Sequence, residues 1–228
     1  ERGKRPIPPV ELEIESELVY PVLRGADLAR WSAKPSIHAL LVQDPALRRG
    51  YTEEVMSGRW PLTLAYLRLF REELLRRALF NKFHKEAGNP FYSQFNIATE
   101  TFAPFKVVWK RMSNDLAASV ISTWDGPLGR KLLIPLETTA FIPFDDAAAA
   151  HFVCGVLNSR PVREFVKSFS SAGRGFGSPA VIRHLRLPRF DPANPVHREL
   201  SELSMRLHAG SDSSPESRLD ELILDPKF

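Results

Sequence analysis

The chain has 228 residues, enough to bury a sizeable core, and its 43% hydrophobic and 25% charged residues are ordinary for a globular protein. A net charge of +4 at pH 7 leaves room for an anionic partner without demanding one. The single cysteine, Cys154, excludes an internal disulfide framework and a cysteine-ligated zinc site, and no apolar run is long enough to cross a bilayer.

Residues 1–17 begin without methionine and are interrupted by prolines, which reads as a linker in a fragment of a longer protein. Leu18 to Leu23 reads as a short strand ending at Arg24-Gly25, after which Asp27 is placed to cap a helical turn through Trp31. Ile37 to Val42 is a second strand. Pro61 stands where proline favours helix starts, and Leu62 to Lys85 follows as one long amphipathic helix. Leu64, Leu67, Phe70, Leu74, Leu75 and Ala78 share its apolar face, with Arg71 among them as a snorkelling or ion-paired residue.

Asn89 to Met112 (NPFYSQFNIATETFAPFKVVWKRM) is aromatic and loop-like, then alternates. In Phe105 to Lys110, period two puts Phe105, Val107 and Trp109 on a core face and Lys106, Val108 and Lys110 on the other, with Arg111 next. This is either an edge strand whose lysines discourage aggregation or a surface turned toward something anionic. Ser119 to Trp124 and Lys131 to Ile134 read as strands around a turn at Asp125-Gly126-Pro127, and Thr138 to Ile142 as another. Asp145-Asp146 caps an alanine-rich helix, apolar nearly all round and therefore buried, which Asn158-Ser159 ends. Pro161 opens a helix through Phe169. The Gly/Ser-rich 170–179 and the ambiguous 181–187 lead to a helix from Pro195 to His208 and, past a polar break, an amphipathic tail over Leu219 to Leu224. Without regular strand–helix alternation, the expected class is α+β: a mixed or antiparallel sheet packed by several helices. The expected organisation is a linker over 1–17, one domain over 18–209 and a polar break with its tail over 210–228.

Residue types that carry chemistry are scattered. Asn89 to Tyr92 (NPFY) resembles the Asn-Pro-Pro-Tyr loop of amino-methyltransferases, but the second proline is missing and polar HKEAG precedes it where an apolar strand is needed; it reads as a turn. Gly173 to Gly177 (GRGFG) lacks the preceding strand of a dinucleotide loop. His197 and His208 lie three turns apart on one helix, too far to share a metal, and the remaining histidines show no ligand spacing. No catalytic, cofactor or metal site is expected in this chain. The informative charge feature is Arg160 to Arg189, where Arg160, Arg163, Lys167, Arg174, Arg183, Arg186 and Arg189 face a single acid, Glu164. The glycines around Arg174 allow its loop to approach a phosphate closely.

Several stretches together resemble one family. They are Tyr20 to Trp31 (YPVLRGADLARW), Tyr66-Leu67 with Leu74 to Arg77 (LLRR), Phe91-Tyr92 with Ala103 to Trp109 (APFKVVW), Val156 to Ser159 (VLNS), Leu187 to Pro192 (LPRFDP) and His197 to Ser201 (HRELS). In this order they are similar to TaqI-like C-terminal specificity domains, the target-recognition domains of adenine-specific DNA methyltransferases and fused restriction-modification enzymes. The resemblance runs from about Val19 to His208. The lone Cys154 fits a reducing cytoplasm, and the resemblance implies a domain that reads duplex DNA while a separate domain, carrying S-adenosylmethionine, methylates a flipped adenine. It implies no enzyme activity for this chain alone, no cofactor of its own, and as partners double-stranded DNA and the parent's methyltransferase domain, with no membrane. Lys106, Lys110, Arg111 and Arg174 are the expected phosphate contacts, with Arg163 and Arg183 next; Tyr92 is read first as core and otherwise as a base-stacking residue. The alternative is a protein-interaction or scaffold module in a DNA-modification or defence complex, suggested by the tail Leu219 to Phe228.

Overall fold

A computed structural model describes residues 7–169, 182, 184–210, 215–225 and 228. In chain order the strands are β1 (Val19–Leu23), β2 (Leu28–Ala29), β3 (Ser32–Ala33), β4 (Ile37–Leu40), β5 (Gln43–Asp44), β6 (Arg49–Gly50), β7 (Phe105–Lys110), β8 (Ala118–Ile121), β9 (Thr123–Gly126), β10 (Gly129–Leu132), β11 (Ile134–Pro135) and β12 (Thr139–Phe144). The helices are α1 (Glu53–Arg59), α2 (Pro61–Leu69), α3 (Arg71–Leu75), α4 (Ala78–Phe83), α5 (Ala147–Asn158), α6 (Arg160–Phe169), α7 (Pro195–His208) and α8 (Pro215–Ile223). Small sheets of mixed and antiparallel pairing packed by these helices make the fold α+β, as the patterning predicts. Among the described residues no helix is long and apolar enough to cross a membrane.

The chain divides into two compact units, Glu1–Val19 with Leu40–Ala98 and Tyr20–Ala39 with Thr99–Phe228, where one domain over 18–209 was expected. In the first unit the end of the expected linker is tied to a helix. The Glu15 carboxylate accepts from Leu62 N (2.9 Å), Thr63 N (2.7 Å) and Thr63 Oγ1 (2.6 Å). It thereby satisfies orphan amides in the first turn of α2, whose own cap residue, Trp60, supplies no side-chain bond. The long helix expected over Leu62 to Lys85 is instead three short ones. The backbone leaves the helix at Phe70 (φ −107°, ψ 19°) and at Arg77 (φ −61°, ψ 128°). The apolar spacing was real, but Arg77 turns inward and donates to the carbonyls of Phe91 (2.9 Å) and Ser93 (3.0 Å), contacts a straight helix does not offer. Arg71 sits 4.6 Å over the Phe91 ring, half-exposed. The core of this unit gathers Met56, Trp60, Leu64, Leu67, Phe80, Phe91 and Tyr92. Asn89 to Tyr92 is a turn, closed by Ser93 N donating to Pro90 O at 2.8 Å. Gly50 is required where it stands, because a Cβ there would meet the Tyr92 ring at 2.9 Å.

In the second unit β7 is the centre of a three-stranded sheet, β12-β7-β8, antiparallel on both sides. A second sheet, β11-β1-β4, includes the parallel pair of β1 with β11. The face of β7 bearing Val107 and Trp109 joins a core with Phe152, Leu157, Leu200 and Leu203 from α5 and α7. Its other face is also covered: Val108 packs with Leu23, Leu28, Ile121 and Leu133. Helix α5 is buried nearly all round, as its composition predicts, and the Asp146 side chain accepts from Ala149 N at 2.7 Å as its cap. Asn158 at its end bonds both the amide and the carbonyl of Ala118 at 2.8 Å, so a side chain stands where another strand would pair with β8. The tail is not an appendage. Leu219 and Leu222 of α8 are buried in the same core, Glu216 accepts from Trp31 Nε1 at 2.8 Å, and Asp220 accepts from Arg160 N at 2.7 Å. The observation that suggested an interaction module is thereby accounted for by packing.

Candidate functional site

One end of β7 opens onto a cleft of about 780 Å³, lined by Arg24, Gly25, Ala26, Lys110, Arg111, Met112, Glu137 and Thr138. Three chain segments meet there: the turn after β1, the exit of β7 and the β11–β12 connection. They are sewn together by Gly25 N donating to Thr138 Oγ1 (2.8 Å) and Arg111 N donating to Thr138 O (3.1 Å). A Cβ at residue 25 would stand 3.2 Å from Thr138 O, so glycine permits this approach.

The electrostatics are unequal around the lining. Arg24 is compensated: its Nε reaches Asp27 Oδ2 (3.4 Å) and its Nη2 donates to Ser36 Oγ (2.6 Å). Burial opposes ionisation of Asp27, but hydrogen bonds from Ser36 and Arg24 outweigh it and hold the carboxyl below its ordinary range. Lys110, half-buried, and Arg111, exposed, form no salt bridge with any described residue. Arg111 Nη1 donates to the Glu137 carbonyl at 3.3 Å. Against these cations the lining offers one carboxylate, Glu137, and no histidine or cysteine. Such a set attracts anionic groups.

Just beyond the cleft the same loop carries Asp115. Its carboxylate takes Arg163 Nε at 3.1 Å, a second contact from Arg163 Nη2, and Lys167 Nζ at 3.3 Å, both cations projecting from α6. Partial burial opposes its ionisation, but the hydrogen bonds and charges of Arg163 and Lys167 hold Asp115 ionised to lower pH. Glu164 of the same helix also bears on both cations and pairs with Arg160 at 2.7 Å, so two carboxylates and three cations meet there.

The expected contacts therefore separate. Lys110 and Arg111 share the cleft. Arg163 is committed to Asp115 and stands beside the same loop. Arg174 and Arg183 lie outside the described residues, as does the glycine-rich 173–177. Lys106 is a correction: it is fully buried, and its Nζ donates to Ala103 O (2.8 Å) and Leu133 O (3.3 Å). Period two placed it correctly opposite Val107, but that face is a second interior, so no phosphate reaches it. Burial pushes its pKa down to about 8. Tyr92 is likewise enclosed, 1% exposed with its hydroxyl donating to Tyr51 O at 2.6 Å, which is the core reading and rules out base stacking. Burial pushes its hydroxyl up to about 12.

Sequence reasoning missed Arg24, Glu137 and Thr138 as cleft residues. Arg24-Gly25 read only as a strand end, and nothing local in Glu137-Thr138 marks a site; β1 and the β11–β12 connection meet only in three dimensions. Among the described residues no group of three His, Cys, Asp or Glu side chains is arranged to hold a metal ion. No protein-family model matches this chain, and no curated protein matches it in sequence.

Proposed function

We propose that this chain is the DNA target-recognition part of an adenine-specific DNA methyltransferase of the restriction-modification or phage-defence type. It binds duplex DNA, while a separate domain holds S-adenosylmethionine and transfers the methyl group. The observation that carries the reading is the cleft at the end of β7, where Lys110 and Arg111 have no acidic partner among the described residues. Arg163 and Lys167 project from α6 onto Asp115 of the adjoining loop. The ordered motifs shared with TaqI-like specificity domains supply the class. Many of their residues serve here as framework: Val22, Leu23, Leu28 and Trp31 in the first, Val107 to Trp109 in the third and Val156 to Ser159 in the fourth are buried. Phosphate contacts fix position, and base edges are read by side chains that vary with the target, so no base-reading residue is assigned.

The test is fluorescence anisotropy with random-sequence duplexes across a salt series. Neutralising about five phosphates gives a log–log slope of roughly −4 to −5. Lys110→Glu with Arg111→Glu weakens binding several-fold at low salt and makes the slope shallower by roughly 2, the share of two phosphate contacts. Binding indifferent to salt, or unchanged in the double variant, refutes the assignment.

A further inference from the structure

The first unit carries a surface feature that neither its core nor the cleft of the second unit uses. Phe83, the last residue of α4, and Phe95 stack on each other with ring centroids 4.4 Å apart and planes inclined by 22°. Each is 44% exposed. Stacking hides one face of each ring, Lys82 Nζ stands over Phe83, and both rings still keep substantial surface in water. A pair whose only role was to shield itself would not need to be held firmly.

This pair is held. Phe95 follows Gln94, whose amide donates to Gln43 Oε1 (2.9 Å) and whose carbonyl accepts from Gln43 Nε2 (2.8 Å). The Gln94 side chain accepts from Val42 N (3.1 Å) and donates to Leu40 O (2.9 Å). Asn96, with φ of 63°, turns the chain away immediately after. Phe83 precedes His84, which is buried with one ring nitrogen 3.2 Å from Gln94 O and the other 3.0 Å from Asn89 Nδ2. The two exposed rings are therefore flanked by residues locked to the same backbone network.

The charge next to them in sequence is mainly positive: Lys82 and Lys85 stand with one acid, Glu86, while Arg76 pairs with Glu72 and Arg77 turns inward. Lys82 Nζ lies 5.1 Å from the Phe83 ring centroid, Lys85 is exposed, and neither enters a salt bridge among the described residues. Exposed aromatic surface beside lysines that form no ion pair among the described residues matches the chemistry of a single-stranded nucleic acid, whose bases present π-faces and whose phosphates need cations.

We propose that Phe83 and Phe95, with Lys82 and Lys85, form a stacking platform for an unpaired nucleobase. A base adds to the outer face of a ring already fixed in place, and the lysines take the flanking phosphates. The class of partner rests on the nucleic-acid reading above; the site itself shares no residue with the cleft.

Two DNA probes test it on the full chain: a duplex with one bulged 2-aminopurine, and the same duplex fully paired. The wild type binds the bulged duplex more tightly and quenches the 2-aminopurine. Phe83→Ala with Phe95→Ala lowers affinity for the bulged duplex by roughly 5- to 150-fold, the range for loss of a stacked base, and leaves the paired duplex unaffected. Phe95→Tyr retains both preference and quenching. Lys110→Glu with Arg111→Glu weakens binding to both duplexes and keeps the preference. Salt-dependent binding of the paired duplex with neither preference nor quenching overturns the platform and leaves the cleft reading standing. Quenching that survives the double alanine variant overturns the platform as well. If that variant instead converts a dimer to a monomer with no change on either probe, the patch is a protein interface and the proposal fails. No binding to either probe at low salt overturns both readings. Quenching in the wild type is read without any variant, so a variant that misfolds does not shield the proposal.

Discussion

Lys106 offers the sharpest test of the interior of the second unit. Its ammonium is fully buried between two backbone carbonyls, and burial holds its pKa at about 8 against the usual 10.5. That difference makes the protonated lysine costlier in the folded protein by about 3 kcal/mol at neutral pH. Between these two values the unfolded chain binds the proton more tightly, so the unfolding free energy rises with pH and the penalty lifts as the buried amine discharges. Lys106→Met fills similar volume without the charge but leaves the Ala103 and Leu133 carbonyls without this donor, a loss of about 1–3 kcal/mol. At pH 7 the variant is therefore as stable as the wild type or more stable by up to about 2 kcal/mol. From pH 7 to pH 10 the wild type gains on it by about 2–3 kcal/mol. Urea unfolding of both proteins at pH 7, 8.5 and 10 reads this directly. A stability difference constant within about 0.5 kcal/mol over that range refutes the reasoning, as does acylation of Lys106 at the rate of Lys110 in the native protein.

Two further perturbations probe the remaining interior. Glu15→Ala removes the acceptor that satisfies the first turn of α2 and destabilises the first unit by about 1–2 kcal/mol in denaturant unfolding, the range for loss of a helix cap; a neutral outcome would return residues 7–15 to the status of a linker. On the acid side, burial and the neighbouring His208 push His151 down to about 4, and burial lowers His208 as well. The stabilisation from keeping these imidazoles neutral is complete above about pH 6.5 and is lost as pH falls toward 4, because the unfolded chain takes up the protons first. His151 packs edge-on against His208 at 4.8 Å and bonds Ser204 Oγ at 3.1 Å; His151→Gln is expected to flatten the decline in unfolding free energy between pH 6.5 and 4, and a parallel decline in wild type and variant would exclude this origin.

The local signals that proved legible are those settled by neighbours in sequence. Asp146 before an alanine-rich run and Pro195 opening a helix are cap and start chemistry, and both helices form as those signals predict. Period-two alternation over Phe105 to Lys110 assigned the strand and the sides of its residues correctly. It could not tell a solvent face from a second buried face. Lysine is so often exposed that Lys106 was read outward, yet the Leu23, Leu28, Ile121 and Leu133 cluster covers that side. The continuous helix over Leu62 to Lys85 failed for a related reason: apolar spacing persists across Phe70 and Arg77, while the breaks answer to tertiary bonds made by Arg77.

By itself the sequence determined the α+β class, the capped helices of the second unit, the core face of β7 and a mild basic bias. Each follows from propensity, capping or periodicity, which act over a few residues. Tertiary structure decided which cations face solvent. Arg163 is claimed by Asp115, Lys106 by the Ala103 and Leu133 carbonyls, and Lys110 and Arg111 keep no acidic partner among the described residues because the β7 exit meets the turn after β1 and the β11–β12 connection there. Those meetings bring together residues distant in the chain, Gly25 with Thr138 among them. A charge becomes a site only where the fold leaves it without a counter-charge, and that depends on which distant segments the core brings to its side.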